Sequence, residues 1–220
     1  MLNFEEGRVL GVLIEKLLTT PEQVPLSVNA CMLGCNQKTN REPVVQFTES
    51  EVILTLEKLQ SLGYVMHCSG AGARVDKFSQ NLDRVLDLSR EDICLLSILI
   101  LRGPQTPGEL STRSKRAWPE GTLDLIETKL DDMAKRDTPL VQRLERMPGQ
   151  KESRWMQLLS ETQGADLQIN QDAQTFIETS AESNIDTDEF MALKDEVEFL
   201  RDEVAELRNL LEQIQNRMDG

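Results

Sequence analysis

Apolar positions along the first 88 residues follow the spacing of helices and then of strands. Residues 4–18 carry apolar side chains every three or four positions, which predicts an amphipathic helix with one face in a core. A second, short helix is predicted at residues 26–33, and a third begins at the capping residue Thr48. Strands are predicted at residues 64–68 and 73–78 around a glycine-containing turn. The predicted order is therefore three helices followed by a hairpin.

The same order is predicted again further along the chain. Ser89 caps an apolar helix, a second short helix follows, and Pro119 opens a third. Strands are predicted at residues 140–144 and 154–158. The inner faces of the two third helices are predicted to contain Val52, Ile53, Leu56 and Leu59 in the first copy and Leu123, Ile126, Leu130 and Met133 in the second.

Three helices and a hairpin are typical of a winged helix, so the sequence predicts two of them in tandem. The predicted class is mainly α with small β-hairpins (α+β). The predicted domains are a first winged helix at residues 1–88 and a second at 89–160. An acidic flexible linker at 161–189 and a coiled-coil helix at 190–219 are predicted to follow. Each winged helix is of a size that can hold a small core.

The C-terminal segment shows a heptad repeat. β-Branched residues at a with Leu at d favour two parallel strands, and Glu at g would face Arg at e of a parallel partner. The sequence therefore predicts a homodimer through a parallel coiled coil. The alternative is a helix that folds back on its own chain. The predicted dimerisation residues are Leu193, Val197, Leu200, Val204, Leu207, Leu211, Ile214 and Met218.

Charge is distributed unevenly along the chain. The formal net charge is -14. Residues 1–88 hold 8 Lys/Arg against 11 Asp/Glu, residues 89–160 hold 12 against 11, and the remainder holds 4 against 16. The acidity therefore belongs mainly to the C-terminal segment, and the second domain could still present a local basic surface.

Two basic clusters and one polar loop are the candidate nucleic-acid contacts. Against this, both predicted third helices are rich in acids, which repel phosphates. The alternative for the second hairpin is a solvated surface with cross-strand pairs to Glu145 and Glu152. The alternative for the loop at residues 36–41 is a structural role at a helix end. The candidate contacts are Lys38, Arg41, Arg113, Lys115, Arg116, Arg143, Arg146, Lys151 and Arg154.

The sequence predicts no catalytic residue, cofactor or metal. His67 is the single histidine, and no phosphate-binding glycine loop or nucleophile constellation is recognisable. Zinc binding by Cys31, Cys35, His67 and Cys68 is disfavoured, because neighbouring strand residues point to opposite faces. Four cysteines without a recognisable secretory segment fit a reducing cytoplasm. The longest apolar run is too short to cross a bilayer.

Three stretches carry a family resemblance: residues 34–43 (GCNQKTNREP), 101–114 (LRGPQTPGELSTRS) and 148–155 (PGQKESRW). With these stretches the chain resembles the YceH-like family of bacterial proteins, a group of uncharacterised function. The resemblance covers about residues 1–160. It implies tandem winged helices in a bacterial cytoplasmic protein, and it implies no ligand, activity or catalytic residue.

The sequence therefore predicts a non-catalytic, cytoplasmic winged-helix dimer without a membrane segment. Its predicted role is DNA-associated regulation, with the backbone of the nucleic acid contacted through the second wing. The alternative is a protein–protein adaptor that uses winged-helix surfaces without binding DNA.

Overall fold

Seven α-helices, a 3₁₀-helix and two small antiparallel sheets make up the part of the chain that the computed structural model describes, residues 1–68, 75–146 and 152–161. The fold is thus of the α+β class. The elements are α1 (Phe4–Thr19), a 3₁₀-helix (Pro21–Gln23), β1 (Leu26–Ser27), α2 (Val28–Cys35), α3 (Glu49–Ser61), β2 (Val65–His67), β3 (Lys77–Gln80), α4 (Leu82–Leu86), α5 (Arg90–Arg102), α6 (Pro107–Ser114), α7 (Leu123–Ala134), β4 (Val141–Arg143) and β5 (Trp155–Gln157).

The two sheets, one of three strands and one of two, have equivalent pairing around their last strand. In the first, the order is β1-β3-β2, with Phe78 of β3 opposite both Leu26 and His67. In the second, β5 pairs with β4, and Trp155 of β5 lies opposite Arg143. Trp155 also forms a bridge with Gln105 on its other side, through backbone hydrogen bonds of 3.0 and 2.7 Å. A single bridge in the second half thus replaces the two-residue β1 of the first.

The helices of the two halves begin at equivalent capping residues. The side chains of Ser27 and Thr106 accept hydrogen bonds at the starts of α2 and α6, and those of Thr48 and Thr122 do so at the starts of α3 and α7. Counted from these caps, the buried positions coincide. The equivalent buried pairs are Cys31 and Leu110, Cys35 and Ser114, Val52 and Ile126, Leu56 and Leu130, and Leu59 and Met133.

A buried glutamine ends the last strand of each half. The Oε1 atom of Gln80 accepts the backbone N–H of Leu82 at 2.7 Å, and that of Gln157 accepts the backbone N–H of Leu159 at 2.7 Å. Both side chains are buried. Because a buried N–H without a partner is costly, these glutamines fix how the chain leaves the sheet.

The two halves share one hydrophobic core. Helix α1 packs against α5 so closely that a Cβ atom on Gly11 would lie 3.0 Å from a methyl group of Ile100. One cluster of buried apolar side chains extends through both halves, and the described residues belong to one compact unit. The N-terminal residues of the first half also pair with the end of the second half, since Leu2 N donates to Leu159 O at 2.9 Å. The predicted boundary between residues 88 and 89 stays a prediction.

Several predicted details are wrong. Leu26 and Ser27 form a strand, and α2 begins after them. Helix α7 begins after Thr122 and not at Pro119, because the Thr122 hydroxyl supplies the cap. Ile53 is 39% exposed and Leu123 is 45% exposed, since three other positions of each helix complete its inner face. Helix α4 was not predicted.

Other predicted features agree with the structure or lie beyond it. The helix predicted at residues 4–18 is confirmed as α1. The strands predicted at residues 64–68, 140–144 and 154–158 are present but shorter, whereas the strand predicted at 73–78 is observed further along the chain, at Lys77–Gln80. The predicted linker after residue 161 and the predicted coiled coil, with all eight of its seam residues, lie outside the described residues. No helix among the described residues has the length and apolar character needed to span a membrane.

Candidate interaction surfaces

Arg41 lies in the interior, so its predicted role as a nucleic-acid contact is wrong. Its side chain is 0% exposed, and Nη2 lies 2.6 Å from Oε2 of Glu15 on α1. Its Nε donates to Gly34 O at 3.0 Å, and its Nη1 donates to Asn40 O at 2.8 Å. The polar loop curls around this guanidinium, and the charge pairs with α1 instead of facing solvent.

A second buried arginine, Arg8 of α1, lies beneath the same loop. Its Nη2 donates to Pro43 O at 2.7 Å, and its guanidinium carbon lies 5.2 Å from the centre of the Phe4 ring. Burial, together with the positive charge of Arg41, lowers the pKa of Arg8 to about 10. The sequence interpretation missed this residue, although a lone arginine among the apolar residues of α1 was a signal of a buried charge.

The rest of the loop is held by backbone contacts to both halves. Glu42 N donates to Leu101 O of α5 at 2.8 Å. The Asn36 side chain pairs with the backbone of Phe47, accepting from its N at 2.7 Å and donating to its O at 2.8 Å. Lys38 is exposed. These contacts favour the structural interpretation of the loop and leave Lys38 as its cationic surface residue.

The basic residues of the second hairpin differ in what surrounds them. Arg143 and Arg146 are exposed. Arg154 is half-buried and forms an ion pair with Glu109, with Nη1 2.8 Å from Oε2, while donating to Pro104 O at 2.9 Å. Lys151 lies outside the described residues. Arg154 therefore ties β5 to the start of α6, and Arg143 and Arg146 remain the cations of this hairpin at the described surface.

The second basic cluster follows the end of α6. Lys115 and Arg116 are exposed and Arg113 is half-buried. The Nζ atom of Lys115 lies 3.4 Å from Gly121 O, which it reaches across the turn that precedes α7. Trp118 is half-buried in the same turn and packs against the hydrophobic core. The cluster is thus a small basic surface in the turn that precedes α7.

The outer faces of the two third helices carry no basic surface suited to phosphates. On α3 the exposed side chains include Leu54, which is 65% exposed, Glu57 and Lys58. On α7 the exposed positions include Asp124, Glu127 and Asp131. Lys129 of α7 turns back to α5, where its Nζ lies 3.3 Å from Asp92 Oδ1. The α3 face therefore combines apolar and acidic side chains with the exposed cation Lys58, and the α7 face is mainly acidic.

The thiols and the histidine are not gathered into one metal-binding cluster among the described residues. Cys31 and Cys35 are buried on α2, where the hydrogen bond that the Cys31 thiol donates to Cys35, together with burial, raises the pKa of the Cys31 thiol well above its ordinary value. His67 lies at the first hairpin, with Nε2 2.7 Å from Asp76 Oδ1. In the described ranges, no three His, Cys, Asp or Glu side chains are arranged to hold a metal ion.

An open groove lies where the two halves meet. Its walls are mainly apolar and include Leu62, Tyr64, Val85 and Leu140. Its charged lining residues are Asp87, Lys135, Arg136 and Asp137, and Arg136 is engaged with the backbone carbonyl oxygens of Leu86 and Asp87. Such a lining can accept an apolar surface.

Comparison with known proteins shows relatives without an assigned activity. Residues 2–150 match the model of a family described as "Protein of unknown function, DUF480". The chain is 48% identical to a UPF0502 protein of Paraburkholderia phytofirmans over 158 residues, which cover 72% of this chain and 67% of that protein. It is 46% identical to a UPF0502 protein of Shewanella piezotolerans over 163 residues, covering 72% of this chain and 75% of that protein. The chain thus spans about two thirds to three quarters of the length of these relatives.

Proposed function

The chain belongs to the DUF480 family, and from its surfaces we propose that it is a non-catalytic protein–protein adaptor built on two tandem winged helices. The proposal includes the cytoplasmic location and the parallel coiled-coil dimer that the sequence predicts. The single observation that carries it is the character of the two third helices, whose exposed positions hold more carboxylates than cations and include leucines.

The repeated element order supports the winged-helix part of the proposal. In each half, a strand or bridge residue lies between the first and second helices, and two further strands follow the third helix. The last strand lies at the centre of each arrangement, next to both of the others. This is the topology expected when the third helix and the hairpin form one binding face.

The charge of the third helices supports a protein partner over DNA. A helix that reads the major groove needs polar or basic side chains on its outer face, and phosphate contacts release counterions only when the protein is cationic there. Helix α7 instead exposes Asp124, Glu127 and Asp131, with Leu123 and Leu125 exposed in its first turn. Carboxylates beside exposed leucines suit a partner protein with basic and apolar side chains.

DNA association is the second candidate, and the exposure of Arg143 and Arg146 favours it. Both belong to the hairpin that follows α7, where a winged helix would contact the phosphate backbone. Lys115 and Arg116 add exposed cations before α7. If the protein binds DNA in this way, the acidic α7 would stay outside the major groove of the DNA, and the hairpin would supply the phosphate contacts.

Photo-crosslinking in cells tests the adaptor proposal. A photoreactive amino acid replaces Glu127 or Asp131 on α7, and in a matched control it replaces Glu22, which is also exposed but lies on the 3₁₀-helix. We expect covalent adducts with one defined polypeptide from positions 127 and 131 and none from position 22. The adducts should resist nuclease treatment and be identified by mass spectrometry.

Fluorescence anisotropy with a labelled DNA duplex tests the second candidate on the same protein. The adaptor proposal predicts no saturable binding at low salt, and the same flat titration for the R143A/R146A variant. Saturable binding that weakens steeply with salt and disappears in R143A/R146A would replace the adaptor proposal with the DNA-associated one.

A further inference from the structure

The groove where the two halves meet leaves large apolar side chains only partly covered. Leu62 and Val85 in its walls are each 45% exposed, and Tyr64, which also lines it, is half-buried. The groove has a volume of about 850 Å³, which lies within the range of natural ligand pockets. Exposed apolar surface that is gathered in one concave place commonly marks a site that another segment covers.

The described chain ends at the rim of this groove. Leu158 and Leu159 belong to its lining, and two residues later Glu161 N donates to Leu2 O at 2.9 Å. Leu2 also lines the groove, so this hydrogen bond holds the end of the described chain beside it. The residues that follow Glu161 therefore start next to the apolar walls.

Residues 165–170 have the sequence pattern of an extended segment with one apolar face. Apolar and polar side chains alternate there, with Ala165, Leu167 and Ile169 between Asp166, Gln168 and Asn170. Alternate residues of an extended chain point to opposite sides, so the three apolar side chains would share one face. Six residues span at most about 22 Å, which is enough for residue 167 to reach the groove from its rim.

We propose that residues 165–169 dock in the groove of their own chain, with Leu167 and Ile169 against its apolar walls. Only residues 162–164 separate Glu161 from this docking segment, and Gly164 among them permits the change of direction that returns the chain to the groove.

The short connection is the reason to assign the groove to this segment and not to a separate protein. A segment tethered so closely has a high effective concentration at the groove, so modest apolar burial holds it there. A free partner has to compete against that advantage. The docking does not depend on the adaptor proposal, because the acidic positions of α7 take no part in it.

Thiol reactivity in the full chain tests the docking. In a C68S background, which removes the exposed native thiol, V85C places a thiol in the groove wall. We expect L167S/I169S to raise its rate of reaction with a soluble aromatic disulfide by about tenfold, because the docking segment loses the apolar burial that holds it over the thiol. The matched control is Q168S/N170S, which changes the polar positions of the same stretch and should leave the rate unchanged.

A second control separates local cover from a general change in the protein. L125C replaces V85C in the same background, because Leu125 is 47% exposed but lies on α7, outside the groove lining. Its reaction rate should be the same with and without L167S/I169S. An unchanged rate of the V85C thiol in L167S/I169S, or an equal rise for L125C or Q168S/N170S, would overturn the proposal.

Photo-crosslinking of the purified full chain identifies the occupant without changing the groove. An aliphatic photoreactive amino acid at position 167 should insert into peptides that contain Tyr64, Val85 or Leu140, in a product that keeps the mass of a single chain on a denaturing gel. The same amino acid at position 168 should give much less of this product. A product of twice that mass would assign the groove to the segment of a second copy, and insertion only outside the groove peptides would show that the segment does not dock there. Either result contradicts the proposal.

Discussion

At the scale of residues, the buried arginines explain the polar loop. Removing a charge from water is costly unless hydrogen bonds and an opposite charge compensate. Arg41 has both, through Glu15 and the carbonyl oxygens of Gly34 and Asn40. Arg8 is less well satisfied, because its Nε has no partner in the described structure and its charge lies over the Phe4 ring. The polar loop therefore has a structural role, in which it supplies hydrogen-bond acceptors to the buried guanidinium groups of Arg8 and Arg41.

Replacing Arg41 with Ala should destabilise the fold by about 3–5 kcal/mol, because it leaves Glu15 without its counter-charge and a cavity inside the loop. Urea unfolding followed by circular dichroism measures this change. The matched control is Lys38→Ala in the same loop, which should change little because Lys38 is exposed. A similar, small effect of both substitutions would show that the buried pair is energetically neutral.

The pH dependence gives an independent check on the same pair. Burial alone would raise the pKa of Glu15, but the charge and hydrogen bonds of Arg41 outweigh burial and lower it below its ordinary value of 4.5. A lowered folded-state pKa gives stability that is present above 4.5 and lost as the pH falls through the folded value. The stability gap between wild type and Arg41→Ala should therefore narrow below pH 4.5. A difference in stability between wild type and Arg41→Ala that stays constant with pH would show that Arg41 does not lower the pKa of Glu15.

At the scale of elements, the two halves use equivalent devices with different side chains. Thr48 and Thr122 cap the third helices, and Gln80 and Gln157 terminate the last strands. Gln157 forms more backbone hydrogen bonds than Gln80 does. Its Oε1 accepts the N–H groups of both Leu159 and Ser160, and its Nε2 donates to Ser160 O at 2.8 Å. This turn leads to the backbone pairing with Leu2.

Gln157→Leu should cost about 2–4 kcal/mol in the free energy of unfolding, since it leaves the buried N–H of Ser160 and the part-buried N–H of Leu159 without partners. Gln80→Leu is the matched variant in the first half and should cost about 1–2 kcal/mol, because one backbone N–H loses its partner there. Chemical denaturation of the two variants compares them directly. The reverse order of the two effects would refute this account of the turns.

At the scale of the whole molecule, the shared core makes the two halves depend on each other. Helix α1 contacts α5, a Cβ atom on Gly7 would collide with Ser160, and Leu2 pairs with residues beyond β5. A fold with this much surface buried between halves should unfold in one cooperative step. Its two tryptophans, Trp118 and Trp155, both lie in the second half, so their fluorescence reports on that half alone.

Leu56→Ala on α3 should therefore shift the tryptophan-detected unfolding transition as much as the one detected by far-UV circular dichroism. We expect a loss of about 2–5 kcal/mol, because Leu56 is fully buried and the substitution leaves a cavity. Leu54→Ala on the exposed face of the same helix is the control and should leave both transitions nearly unchanged. If circular dichroism shifts while tryptophan fluorescence does not, the halves unfold independently.

Local signals in the sequence determined which elements form and where most of them begin. Capping residues such as Thr48 and Ser89, and apolar spacings such as those of α1 and α5, act within a few residues, so they were recognisable without a fold. These local signals predicted the wrong start for α7, at Pro119 instead of after Thr122, and wrongly placed Ile53 on the inner face of α3. In both places the local sequence was compatible with more than one arrangement. Periodicity alone did not distinguish the start of α7 or the limits of the α3 inner face.

The tertiary structure alone decided which charges face solvent and how the halves meet. Arg41 and Lys38 belong to one polar loop, yet one is buried against Glu15 and the other is exposed. That difference depends on α1, 26 residues away in the chain, and side-chain type carries no information about so distant a partner. The packing of Gly11 against Ile100 is likewise a contact between separate elements. Such contacts exist only once the chain is folded, because burial and long-range pairing are properties of the whole molecule.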